Sequence, residues 1–250
     1  MFKIIYISLV SIFLLSWYQI GKLPDLQEVD DRLLQEPVQQ TSTNKENFSF
    51  SYRQKSYDVK PIADYELWGL VVSQNNIAAW FNYYHDKDSV NLKDVCVVWG
   101  SNIKNESYNQ KNIKFKSGEW TCYYRWRGEL KRGFSDYELS NNHLLTDNEK
   151  IQDLIRDVNI GDQIYFKGSL VDYQETGDAW LRQTSVSRTD DNKASRSGGA
   201  CEIIFVDDFK IIKHNNFAWN VLYDWTKKLF MMVLVFQLLL FFYKNHRRDH

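Results

Sequence analysis

Asp147-Asn148-Glu149-Lys150-Ile151-Gln152-Asp153-Leu154-Ile155-Arg156-Asp157-Val158-Asn159-Ile160-Gly161-Asp162-Gln163-Ile164-Tyr165-Phe166-Lys167-Gly168 is the stretch on which the fold turns. Its first half has helical spacing, with Ile151, Leu154, Ile155 and Val158 on one face. Asp147 stands at the N-cap position, Glu149 suits the positive end of the first turn, and Gly161 stops the helix. The second half changes to a period of two. Ile164, Phe166 and Leu170 alternate with Tyr165, Lys167 and Ser169, which predicts a strand over Gln163 to Tyr173. Gly168 inside it marks a bulge or sharp bend.

Upstream of the helix lie three strand signals. Tyr65 to Ser73 is β-rich with Gly69 inside it, and Val95 to Gly100 reads as a buried strand. Glu119 to Trp126 alternates Trp120, Cys122, Tyr124 and Trp126 against a polar side. Downstream, Glu175 to Asp178 turns into a strand at Ala179 to Arg188. The polar loop Thr189 to Gly199 then leads to a last strand at Cys201 to Ile212. Three strands, a helix, then two or three strands is the connectivity of an OB-fold, a partly open Greek-key barrel. The passage from Ile155 through Gly161 to Gly168 resembles the helix-to-fourth-strand turn of many OB domains. The expected class is therefore mainly β (α+β), an OB-like small β-barrel with one helix, with a generic barrel or sandwich as the alternative.

Tyr65 to Ser73, Cys96 to Gly100, Ser140-Asn141-Asn142-His143, and Ser187-Arg188-Thr189-Asp190 with Gly199-Ala200-Cys201-Glu202 together resemble an uncharacterised group of bacterial membrane-anchored exported proteins. That resemblance implies a location and supplies no mechanism.

Both ends of the 250-residue chain are strongly apolar. Lys3 precedes a run from Ile4 to Ile20, and bulky Ser16-Trp17-Tyr18-Gln19 replaces a small-residue cleavage pattern. An uncleaved signal anchor over residues 1–21 is expected, with a cleaved signal peptide as the alternative. Leu229 to Tyr243 reads as a second transmembrane helix, its length made up by Thr226 and by snorkelling of Lys227 and Lys228. Lys3 outside the first span, and Lys244, Arg247 and Arg248 outside the second, place both termini in the cytoplasm. The expected location is thus the inner (plasma) membrane, with the central domain extracytoplasmic. The expected segments are a stalk and linker at 22–60, the barrel domain at 61–215, a juxtamembrane stretch at 216–228, a span at 229–243 and a basic tail at 244–250.

With 44% apolar and 25% charged residues the chain is not a disordered one. The exported part holds 27 cations and 31 acids, a balance of −4, which disfavours nucleic acid as a partner. The membrane is the expected partner, with envelope glycan or a membrane-protein complex beside it. No cofactor or metal is called for. Cys96, Cys122 and Cys201 sit among apolar or aromatic neighbours and read as small buried residues, with a disulfide drawn from neighbouring strands as the alternative.

Candidate ligand-binding residues are Tyr165, Lys167, Arg182, Arg188, Asp190, Asp191 and Arg196, on or beside the fourth and fifth strands. They suit a non-catalytic binding or scaffolding module. The alternative is an envelope hydrolase in which His143 works with Asp190, Asp191 or Glu202, and a second alternative is a nucleic-acid-binding OB domain. A nucleophilic cysteine requires a nearby histidine, which sequence spacing does not place.

Overall fold

The computed structural model describes residues 2–40, 43–75, 90–118, 121–186 and 200–246. In chain order the elements are α1 (Phe2–Ile20), β1 (Val38–Gln40), β2 (Phe48–Tyr52), β3 (Lys55–Asn75), β4 (Lys93–Val98), α2 (Ser101–Lys104), β5 (Ile113–Ser117), β6 (Cys122–Trp126), β7 (Leu139–Leu145), α3 (Glu149–Asp157), β8 (Gln163–Glu175), β9 (Ala200–Lys213) and α4 (Phe217–His246). They form two compact units, Leu23–Asn215 and the paired segments Met1–Lys22 and Asn216–His250.

Five strands of the first unit close a ring. β3 pairs with β4, β4 with β7, β7 with β9, β9 with β8, and β8 returns to β3. Only the β7–β9 pairing within the ring is parallel. β3 is 21 residues long and also carries β1 and β2. Pro61, which lacks an N–H, sits where the β3–β8 register shifts. A second shift falls between Lys167 and Gly168 on β8, opposite an extra residue, Asp207, on β9. A Cβ on Gly168 would run into the Phe205 carbonyl oxygen, so the bend expected there is a place where two backbones touch.

Both faces of β4 are buried, which is why its part from Val95 to Val98 reads as an unbroken apolar run. Val95 and Val97 join Leu67, Phe166 and Ile204 in one core cluster, closed by Ile151 and Ile155 of α3. Cys96 and Val98 join a second cluster with Leu33, Leu70, Cys122 and Leu139, against which Phe115 and Tyr124 of the β5–β6 hairpin pack. The cap of α3 is Asn148, one residue later than the expected Asp147, and its side chain accepts from the Lys150 and Ile151 N–H groups. At the other end Lys93 donates to the Arg156 and Val158 carbonyls at 2.7 and 2.6 Å. Burial lowers the Lys93 pKa to about 8, against the opposing charges of Asp157 and Asp162.

Four expectations are corrected. The Glu119 to Trp126 signal yields β6, which belongs to a separate hairpin with β5; the ring's third strand is β7. Its Ser140-Asn141-Asn142-His143 carries polar side chains on both faces, yet each is buried. Of the strand expected at Ala179 to Arg188, the described part, residues 179–186, holds a single bridge between Arg182 and Tyr173. The supposed stalk at 22–60 instead carries β1, β2 and the start of β3, and Leu33 is fully buried. In the second unit, the supposed juxtamembrane stretch is the start of α4, which is one 30-residue helix.

Among the described residues, one helix is long and apolar enough to cross a membrane, over Phe217–Tyr243. The apolar part of α1, Tyr6–Ile20, is shorter. The two helices run antiparallel, Tyr6 meeting Phe230 and Phe13 meeting Tyr223, with ring centroids 6.2 and 5.3 Å apart.

Candidate active site on three adjacent strands

Register assembles the site. On β4 and β7, Asp94 lies opposite His143 and Cys96 opposite Asn141; on β7 and β9, Asn141 lies beside Cys201. Alternation puts Asp94 and Cys96, then Asn141 and His143, then Cys201 on one face. His143 links the outer members. Its Nδ1 is 2.5 Å from Asp94 Oδ1 and its Nε2 is 3.0 Å from Cys201 Sγ. Asn91 Nδ2 donates to Asp94 Oδ1 at 2.5 Å.

Asp94 and His143 are buried, whereas Cys201 is partly exposed. Desolvation works against a charged imidazole, but the Asp94 carboxylate, and next Cys201, outweigh it, so the His143 pKa lies well above its usual 6.5. Tyr173 of β8 stands near the same charges. Burial raises its pKa to about 12; Arg182 opposes that shift, while Tyr57, Asp94 and Cys201 add to it. A thiol, an imidazole and a carboxylate in line can pass a proton from sulfur to nitrogen while the acid fixes the ring, which is the arrangement of an activated nucleophile.

Cys96 and Cys122 form a disulfide with Cα atoms 5.7 Å apart, which corrects the expectation of three small buried thiols. Cys201 is free. It lies two strand spacings from Cys96, roughly 10 Å, beyond the reach of a bridge, with Asn141 between them. Asn141 Oδ1 is 3.8 Å from Cys96 Sγ and 3.9 Å from Cys122 Sγ, and Nδ2 is 3.3 Å from His143 Nε2.

Of the acids considered for His143, Glu202 points to the opposite face of β9, where it accepts from the Tyr65 hydroxyl at 3.4 Å. The carboxylate that meets His143 is Asp94, a residue missed because it stands just ahead of the strand signal at Val95 to Gly100, on a strand whose register the sequence does not print. Asp190 and Asp191, with Arg188 and Arg196, lie outside the described residues.

Tyr165, Lys167 and Arg182 do not form one surface. Tyr165 is buried against Trp68 at 4.2 Å with Lys210 over its ring, and Lys167 reaches Glu66 at 4.0 Å. Arg182 lies over Tyr173, eight residues and about 26 Å further along β8. A groove of about 370 Å³ lined by Phe48, Asp58, Lys60, Asp172 and Gln174 shares no residue with the Cys201 row. Among the described residues no group of three or more His, Cys, Asp or Glu is placed to hold a metal ion. Comparison with known proteins finds no matching family model, no matching curated protein and no matching solved structure.

Proposed function

We propose that this chain is a membrane-anchored thiol enzyme that carries out acyl transfer, with Cys201 as nucleophile. His143 takes up the thiol proton on Nε2 before the sulfur attacks a carbonyl carbon, and its raised pKa keeps both ring nitrogens protonated at that stage. It then returns that proton to the departing amine or alcohol, leaving an acyl thioester for water or a second nucleophile. Asp94, held by Asn91, keeps Nδ1 protonated and the ring in place. The observation that carries this reading is the Cys201–His143–Asp94 line at 3.0 and 2.5 Å. It favours the enzyme over the binding module, whose described candidate residues are dispersed and already paired with neighbours.

The scaffold we infer is OB-like. Its ring follows strand order 1-2-3-5-4-1 when β3, β4, β7, β8 and β9 are counted from one to five, with α3 between the third and fourth. We place the first unit outside the cytoplasm, held by two spans with both termini inside. The antiparallel α1–α4 pair and a disulfide that suits an oxidising compartment support that placement.

The test uses the full chain in native membranes. A membrane-impermeant iodoacetamide derivative is expected to label Cys201 in intact spheroplasts. At pH 7 His143→Ala should slow that labelling about tenfold. A p-nitrophenyl ester should leave its acyl group on Cys201 and not on Cys201→Ala. Labelling that ignores His143, or an ester that never acylates Cys201, refutes the enzyme; labelling that requires lysis refutes the orientation.

A further inference from the structure

We propose that the β5–β6 hairpin is a lipid-binding face, whose exposed cations and aromatic rings hold the anionic phospholipid headgroups of the membrane that anchors the chain. The choice of partner rests on the membrane-anchored reading and not on the chemistry of Cys201.

Charge in the exported part is unevenly spread. Residues 111–132 hold seven of its 27 cations and two of its 31 acids, so a basic hairpin stands on an otherwise acidic domain. Register shows where those charges go. Phe115, Cys122 and Tyr124 pack into the second core cluster. Alternation then puts Lys114, Lys116, Tyr123 and Arg125 on the other side of the hairpin, where all four are exposed. Lys111 and Arg127, at the open end, are exposed as well.

These cations are not spent on the fold. None of Lys111, Lys114, Lys116, Arg125, Arg127 and Lys131 makes an ion pair with a described residue. The acids nearby are already engaged: Glu106 pairs with Arg132 at 2.7 Å, and Glu138 accepts from the Ser101 hydroxyl and the Asn102 N–H. Lys114 lies directly opposite Arg125. Like charges in that position repel, and a phosphate between them turns the repulsion into two charge-assisted contacts.

Three features favour a lipid surface over one small soluble anion. From Lys111 to Lys116 the row runs up to roughly 17 Å at strand spacing, several times the width of a single phosphate. Exposed Tyr123 and Trp126 accompany it, rings of the amphipathic kind that settle at headgroup level. Both ends of the unit also pack against the cluster that the hairpin covers: Leu23, three residues beyond α1, and Ile212, five residues before α4. Connections that short tether the hairpin to the bilayer that holds α4, which raises the effective concentration of that surface.

The full chain, reconstituted in phosphatidylcholine nanodiscs, is mixed with vesicles of phosphatidylcholine or of phosphatidylglycerol and floated on a density gradient. It should float with phosphatidylglycerol and not with phosphatidylcholine, and high salt should release it. Lys114→Gln with Arg125→Gln should weaken binding about 25-fold, roughly fivefold for each charge removed near a headgroup surface. Lys60→Gln with Lys150→Gln removes two exposed cations elsewhere and should leave binding unchanged. The hairpin variant should melt no lower than wild type, because it removes a repulsion. Lys111→Gln with Lys131→Gln lies outside the strands, should weaken binding to the same degree, and serves as the readout if the first pair melts lower.

Hairpin variants that float as wild type does, equal binding to both kinds of vesicle, or equal weakening by the control pair overturns the proposal. So does a chain that ignores phosphatidylglycerol vesicles and is retained on dextran sulfate, which assigns the hairpin to a soluble polyanion. Alkaline carbonate tests anchoring separately: a chain stripped from native membranes overturns the anchored reading, whatever the vesicles show.

Discussion

Gly168→Ala is expected to be among the costliest single-methyl changes in the ring. The added Cβ would collide with the Phe205 carbonyl oxygen, with Phe205 C at 2.9 Å and Val206 Cα at 3.0 Å. These are main-chain atoms, and β8 is held on both sides there, by Tyr65 of β3 and Val206 of β9, so neither backbone is free to withdraw. Overpacking of this kind costs about 1–3 kcal/mol and more where the backbone must move; loss of glycine's freedom in the unfolded chain returns about 0.4–1 kcal/mol. A net loss of about 3 kcal/mol lowers the melting temperature of a domain this size by roughly 6–12 °C. Gly69→Ala is the control. Its Cβ would meet Leu67 Cδ2 and Val97 Cβ, both at 3.1 Å, and these side chains can give by a few tenths of an ångström at a cost of about 1 kcal/mol. Thermal unfolding of the full chain in detergent, followed by near-ultraviolet circular dichroism, should rank wild type, Gly69→Ala and Gly168→Ala in falling order. A Gly168→Ala protein that melts with wild type, or above Gly69→Ala, refutes the close-approach argument.

Folded His143 keeps its proton well above pH 6.5, so the stability contributed by the imidazolium is fully present below that value and is lost as pH rises through the folded pKa. Urea midpoints of wild type should fall on the alkaline side with a slope that His143→Ala lacks. Asn148→Ala should lower stability by about 1 kcal/mol through loss of the α3 cap, with Asp147→Ala close to neutral in the same melts.

Much of the ring was legible in the sequence where one face is apolar and the other polar. The helix from Glu149, the strand from Gln163 and the last strand from Cys201 all announced themselves by period. β7 did not, because burial there is satisfied by hydrogen bonds rather than by hydrocarbon. Asn142 Nδ2, for example, donates to the Val95 carbonyl and the Ser140 hydroxyl. The site was lost with that strand. His143 could be singled out as a lone imidazole, and Cys201 as an odd thiol, but Asp94 and the order Asp94, His143, Cys201 follow from a pairing between segments 49 and 58 residues apart. Local periodicity carries no information about such pairings. The disulfide was hidden for a related reason, since Cys122 lies on a hairpin outside the ring rather than on one of its strands.

The β3–β8 seam sets an order on assembly. Tyr65 and Gly168 are neighbours across it, yet more than a hundred residues separate them, and β9 must still follow to complete β8's far edge. Contacts so distant along the chain are reached slowly, because a long loop must be closed before any of them rewards the search. During synthesis, then, β3 and β4 wait with bare edges while the partners that will cover them are still being made. A chaperone acting during that interval would have the β3 edge from Tyr57 to Leu70, which β8 later covers, as its natural handle.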